Sequence, residues 1–320
     1  MLSGASADPS ARRTGGAPDA RDAPPAIYRA RAAPSTAIPR APMRRLTLGL
    51  ALAVLGVAAA PAAAQYAEGS ARHLALGRAG VAVGAEAWGH ANPAAWAPLA
   101  ERRVALQGSQ AFGLSEVRLA AVSAAAPTAA GTVALSARTF GFAEHRETRV
   151  VAGFARPLPL SRARRLDAGV SVGYESAATE GYGSVGSVLV GLGVQGEVLP
   201  RLRAGLAARN VTGLLRSAED DLRRSAATVP GVAVGLAYAA SDRALVVLDA
   251  DQDLDFGLSL RGGAEVRPVE MLALRVGAAS NPQRLTAGAG VAAGRLRADL
   301  AVDLHETLGL TPSFGVEIGF

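Results

Sequence analysis

Asp249, Asp251, Asp253 and Asp255 recur at every second position, the nearest this sequence comes to a metal-binding run. A calcium loop of the EF-hand type needs glycine at its sixth position and glutamate at its twelfth. Counting from Asp249, those positions hold Leu254 and Leu260. The spacing instead reads as one polar face running into a turn. Two stretches match the glycine pattern of dinucleotide sites, Gly181–Gly186 and Gly191–Gly196. Such a site needs its glycines between a strand and a helix, so that the helix N-terminus meets the pyrophosphate. The second match lies inside an alternating segment and is followed by Pro200 and further alternation, which leaves no helix to receive a phosphate. His73, His90, His145 and His305 lack metal-ligand spacing, no serine sits in a nucleophile-elbow context, and there is no cysteine. The charged run Arg216–Arg224 reads as a solvated face. The expectation is therefore no catalytic set, no cofactor, no metal and no enzyme activity.

The elements around these residues repeat in steps of two. Leu296, Ala298, Leu300, Val302 and Leu304 share one parity, while Arg297, Asp299 and Asp303 share the other. Successive side chains on a strand point to opposite faces, so this is strand periodicity. Leu258, Leu260, Ala264 and Val266 alternate with Ser259, Arg261, Gly263 and Glu265, and Ala168, Val170, Val172 and Tyr174 oppose Asp167 and Glu175. Segments 148–157 and 244–251 are ambiguous in parity. Charges keep almost wholly to one parity, as a lipid-facing wall requires, because Arg or Lys near the bilayer midplane costs about 2–4 kcal/mol. Links near 198–200, 240–243, 268–270 and 293–294 are short, and those near 141–147, 177–185, 211–229 and 305–312 are generally longer; 158–165 breaks the alternation, and 252–256 and 280–283 are only modestly long. This alternation predicts an all-β fold, a transmembrane antiparallel barrel of about 14 strands.

The N-terminal region has a different composition. Residues 1–42 are rich in Ala, Arg, Pro, Ser and Gly and predict disorder, or an extension wrongly assigned upstream of Met43. Arg44-Arg45, the apolar run Leu46–Ala60, Pro61 and Ala62-Ala63-Ala64 follow in the order of a secretory signal peptide, residues 43–64. The formal charge of +6 is concentrated there: residues 1–64 hold eight Arg against three Asp, and the remainder holds 25 basic and 24 acidic residues. A nucleic-acid surface needs a concentrated positive field on the folded domain, so nucleic acid is not an expected partner. Aromatic residues make up only 4% of the chain, which predicts a sparse aromatic girdle.

Phe314, Val316, Ile318 and Phe320 share a parity and end the chain on an aromatic, which resembles the signal read by the barrel-assembly machinery of the outer membrane. Near the other end, Leu76–Val83 (including Gly77 and Gly80) and Ala91-Asn92-Pro93-Ala94 resemble the opening of PorV/PorQ-like outer-membrane barrels, relatives of the FadL-type transporters. Leu260–Glu265, Leu272–Gly277, Leu285–Gly290 and Asp299–Gly309 extend the resemblance over most of 70–320. It implies a barrel over 103–320 with a plug-like segment, 65–102, folded into or across the lumen. Gly77, Gly80, Asn92 and Pro93 are then the candidate plug and turn residues, and Phe320 the candidate assembly signal. The implied location is the outer membrane of a Gram-negative-type bacterium, with the lipid bilayer and the assembly machinery as partners. The implied role is binding or shuttling secreted protein cargo, as in type IX secretion. The alternatives are a passive channel for hydrophobic small molecules, as in FadL-type relatives, and a structural envelope scaffold.

Overall fold

A computed structural model describes residues 69–161, 164–215, 229–254 and 257–320. The extension, the signal peptide and the charged run Arg216–Arg224 lie outside the described residues, as does Asp255. Strands β1 (Arg103–Gln110), β2 (Arg118–Pro127), β3 (Thr132–Gly141), β4 (His145–Pro159), β5 (Arg165–Thr179), β6 (Gly183–Leu199) and β7 (Leu202–Arg209) form one half of the ladder. The other half is β8 (Gly231–Ser241), β9 (Ala244–Asp253), β10 (Gly257–Val269), β11 (Leu272–Ser280), β12 (Gln283–Ala293), β13 (Leu296–His305) and β14 (Gly309–Gly319). Each strand pairs with the next, and β1 pairs antiparallel with β14 from Arg103↔Gly319 to Ser109↔Ser313, closing a fourteen-stranded barrel. Closure gives every strand two neighbours, so no ladder edge is left to face lipid. Among the described residues no helix is long and apolar enough to cross a membrane.

The barrel is apolar outside and polar inside. On β13, Leu300 is 66% exposed while Asp303 is 1% exposed. The same inversion holds for Leu258 and Leu260 against Ser259 and Glu265, and for Val172 and Tyr174 against Asp167 and Glu175. Water would reward the opposite arrangement. Hydrocarbon against the wall accounts for it, since leucine on that face is favourable and charge is not.

The two segments of ambiguous parity now have a physical cause. On β9, Val247 is buried in a cluster with Leu76, Ala79, Ala82 and Val83, and Leu245 packs against it. Apolar residues face inward there because something apolar lies inside. Val151 on β4 likewise faces a lumenal cavity.

One end of the barrel, here the near end, holds the start of β1, the end of β14 and the hairpin turns 128–131, 160–164, 200–201, 242–243, 270–271 and 294–295. The other connections lie at the far end. Three of the expected long links are short loops: β3 and β4 are joined by 142–144, β5 and β6 by 180–182, and β13 and β14 by 306–308. The residues assigned to loops instead lengthen strands, and β4, β5 and β6 run to 15, 15 and 17 residues. A strand of the last length rises about 55 Å along its axis, against an apolar band about 25 Å tall. These strands project beyond the band even when tilted. Gly141, with φ of +100°, makes the tight β3–β4 reversal that a side chain there would oppose.

Candidate functional site

Residues 69–101 precede the barrel and lie inside it, packed against inward-facing strand residues. Ser70 opens α1 (Ala71–Ala75): its Oγ accepts from the His73 N–H at 3.1 Å, satisfying one of the free donors of the first turn. A single 3-10 turn, Pro93–Trp96, starts from Asn92. The remainder is irregular backbone, tolerated at this depth because protein surrounds it. Leu74 and Leu76 are fully buried, and each buried apolar cluster joins this segment to inward-facing strand residues.

Two charge clusters hold the segment to the wall. Arg72 donates to Glu265 through Nε at 2.8 Å and to Glu86 through Nη1 at 2.6 Å. Arg275 donates to Glu265 at 2.7 Å and to Asp299 at 2.6 Å. In the second cluster, Arg78 and Arg284 both donate to Asp303 Oδ2, at 2.8 and 3.0 Å. Charge-assisted hydrogen bonds of this length are the strong ones. Their partners are buried, so removing one strands the other. Asp249 Oδ2 accepts from the backbone N–H groups of Gly80 and Val81 at 2.6 and 3.0 Å. Asp251 is engaged by Arg209 and by Arg261. Two members of the aspartate run are therefore acceptors on the inner wall.

The candidate turn residues occupy two parts of the segment. Gly77 has φ of +68°, and its N–H donates to Thr286 Oγ1 at 3.0 Å. A Cβ there would stand 2.5 Å from the carbonyl oxygens of Ala278 and Gly262. At Gly80 a Cβ would stand 2.6 Å from His73 Nδ1. Asn92 is fully buried; its Oδ1 accepts from the Ala94 N–H at 2.9 Å, and its Nδ2 donates to the carbonyls of Val81 at 2.7 Å and Val194 at 3.2 Å. It thus caps the turn that Pro93 begins and ties both to β6. Phe320 lies at the near end, outward and 55% exposed, its N–H donating to the Arg102 carbonyl at 3.0 Å where the barrel closes.

Sequence reasoning missed Arg72, Glu265, Asp303 and Trp96. Trp96 is buried against Gly153 and donates through Nε1 to the Ala87 carbonyl at 3.0 Å. The glycine matches have other roles: Gly181 and Gly183 flank the far-end β5–β6 turn, and Gly193 lies directly beneath Asn92.

Above the segment, toward the far end, is a cavity of about 480 Å³. Its floor includes His73, Trp88, His90, Pro93 and Trp96. Leu119, Phe140, Val151 and Leu189 give its wall apolar surface, interleaved with Arg138, Glu147 and Arg149, and Arg209, Arg261 and Arg284 add further charge. The His73 and His90 rings meet edge to face, with centroids 4.7 Å apart. Burial holds the His73 imidazole well below its ordinary pKa, and His90 adds to the effect. The arrangement suits a bound small molecule with apolar surface.

The barrel resembles solved outer-membrane transport proteins. Its fold is that of known hydrocarbon channels. The monoaromatic hydrocarbon channel CymD aligns with a TM-score of 0.56 at 13% identity, over 78% of this chain and 97% of that one. The Ralstonia pickettii toluene transporter TbuX gives 0.56 at 12% identity, over 78% and 98%. A Pseudomonas aeruginosa FadL homologue gives 0.53 at 12% identity, again over 78% and 98%. At these identities the likeness is one of architecture. No protein-family model matches the sequence, and comparison with curated proteins finds no match.

Proposed function

We propose that this chain is a non-enzymatic conduit of the outer membrane of a Gram-negative-type bacterium, passing hydrophobic small molecules in the manner of FadL-type channels. The observation that carries this reading is the cavity of about 480 Å³, partly apolar, seated on a lumenal segment. That volume is in the range of small-molecule pockets and far below the size of a folded protein. The architecture shared with toluene and monoaromatic hydrocarbon transporters supports the same reading. Secreted protein cargo rests on the sequence resemblance alone and fits the cavity less well. In this reading residues 65–102 act as the plug, Gly77, Gly80, Asn92 and Pro93 shape it, and Phe320 serves barrel assembly.

The test is uptake into proteoliposomes carrying the full chain. Labelled toluene and a labelled sugar of similar size are the two probes. Toluene entering faster than through empty vesicles, with sugar excluded, is the expected result. Equal acceleration of both probes would mean an open pore, and no acceleration of either over empty vesicles would refute the conduit.

A further inference from the structure

Among the described residues, the connections at the two ends of the barrel carry opposite net charge. Among the described residues the near-end turns hold Arg164, Arg201, Arg243 and Arg295, against Asp242 and Glu270. The far-end connections hold, among the described residues, Glu116, Glu144, Glu180 and Glu306 and no arginine. The four turn arginines are exposed and spread around the circumference, at β4–β5, β6–β7, β8–β9 and β12–β13. Arg243 and Arg295 make no ion pair among the described residues, and Arg201 has only an exposed contact to Asp242 at 3.5 Å. An exposed pair of that kind holds the guanidinium weakly, so it remains available.

Arg201 and Arg295 stand close in sequence to exposed apolar residues at the strand ends, Leu199 and Leu296. A soluble anion would need convergent donors, whereas these diverge around a ring at the edge of the lipid-facing wall. The same end is poor in interfacial aromatics: Phe154, Tyr238 and Phe320 are the outward ones among the described residues. A barrel without a full aromatic girdle needs other groups at headgroup level, and arginine combines an apolar stem with a fork that matches phosphate. Short turns mark the periplasmic end of such barrels, where the leaflet is glycerophospholipid.

We propose that the near-end arginines form a belt that binds the phosphodiesters of anionic phospholipids in the leaflet they face. The proposal rests on the reading of this chain as an outer-membrane barrel, and it assigns a lipid partner independently of what passes through the lumen. Attraction of a basic side chain to an anionic surface corresponds to roughly a fivefold gain in affinity per arginine, on the order of a hundredfold for three.

The full chain is reconstituted in phosphatidylcholine, and binding of phosphatidylglycerol is measured by native mass spectrometry with phosphatidylcholine as competitor. The wild type should prefer phosphatidylglycerol, and the triple variant R201Q, R243Q, R295Q should lose that preference. The far-end variant R118Q, R146Q should keep it. Arg243→Gln alone should lower the affinity about fivefold, which keeps the proposal testable if the triple variant does not fold. Equal affinity of the wild type for both lipids, or an unchanged triple variant, would overturn the belt. Preference for lipopolysaccharide lost in the same triple variant would place this end in the other leaflet and overturn the assignment. The gel-mobility shift between unboiled and boiled wild-type protein in phosphatidylcholine reports the barrel itself, so failure of that reading is seen separately.

Discussion

Glu265 is the residue whose loss should most directly unseat the lumenal segment. It is 1% exposed and accepts from three arginines: Arg72 at 2.8 Å, Arg275 at 2.7 Å and Arg267 at 2.9 Å. Glu265→Gln keeps the shape and removes the charge, leaving those guanidinium groups around a neutral amide that supplies one acceptor oxygen. Breaking a buried pair from one side costs about 3–5 kcal/mol. The strand ladder is unaffected, because Glu265 contributes to it only through its backbone. The cost falls on the contact with Arg72, so the population with the segment released should rise on the order of 10²- to 10³-fold. Limited proteolysis of the folded protein in detergent should show faster cleavage within residues 69–92, and sugar should leak into proteoliposomes. The unboiled protein should still migrate as a folded barrel. Removing Arg72 as well, in the double variant R72M, E265Q, relieves part of the excess positive charge and should recover more than half of the loss in free-energy terms. Cleavage and sugar entry unchanged in the single variant would refute the argument that this cluster seats the segment.

Three further outcomes follow from the same geometry. Gly77→Ala places a methyl against two carbonyl oxygens at a positive φ, and should destabilise seating by about 1–3 kcal/mol, read as faster cleavage in the same region. His73 is held neutral by burial, with His90, Arg261, Arg78 and Arg209 opposing its protonation; its contribution is complete above the free value of about 6.5 and is lost as pH falls below it, by up to about 1.4 kcal/mol per pH unit. Proteolysis with an acid-tolerant protease should therefore accelerate from pH 6.5 downward, and His73→Gln should flatten that dependence. Leu300→Arg puts a charge on the lipid face and should cost about 2–4 kcal/mol in folding into vesicles if the position lies near the midplane, measured by denaturant titration of the heat-dependent gel shift.

The barrel was legible in the sequence because lipid penalises errors on one face. Asp299 and Asp303 could not exchange places with Leu300 and Leu304, so parity marked both faces before any pairing was known. Parity failed where both faces are apolar. Leu245 and Val247 point inward onto Leu76 and Ala79, and no local pattern separates them from Val246 and Leu248 on the outside. The charge clusters were hidden for a different reason. Arg72 and Glu265 are 193 residues apart, and an inward carboxylate that binds a buried arginine has the same sequence signature as one facing water. Loop lengths misled at β3–β6 because strands that rise above the membrane lose the apolar face by which strands are recognised.

Glycine at inward positions marks where the segment lies against the wall. Gly169 faces Gly193 across β5–β6, Gly205 faces Gly235 across β7–β8, and Gly263 faces Gly277 across β10–β11. Each pair removes side chains from adjacent strands on the lumenal side and leaves a furrow of bare backbone. The segment lies in those furrows: a Cβ at Gly263 would come 2.5 Å from the Leu76 carbonyl oxygen, and one at Gly169 would come 2.5 Å from the Ala94 nitrogen. An open water-filled lumen has no need of such furrows, since water accepts any polar side chain there. Paired inward glycines also weaken the strand locally, by lost packing and added chain entropy. Ladder closure can bear that cost, because every backbone group in the wall is already paired. These inward glycines then share one cause: the wall is shaped on the inside to receive another stretch of its own backbone.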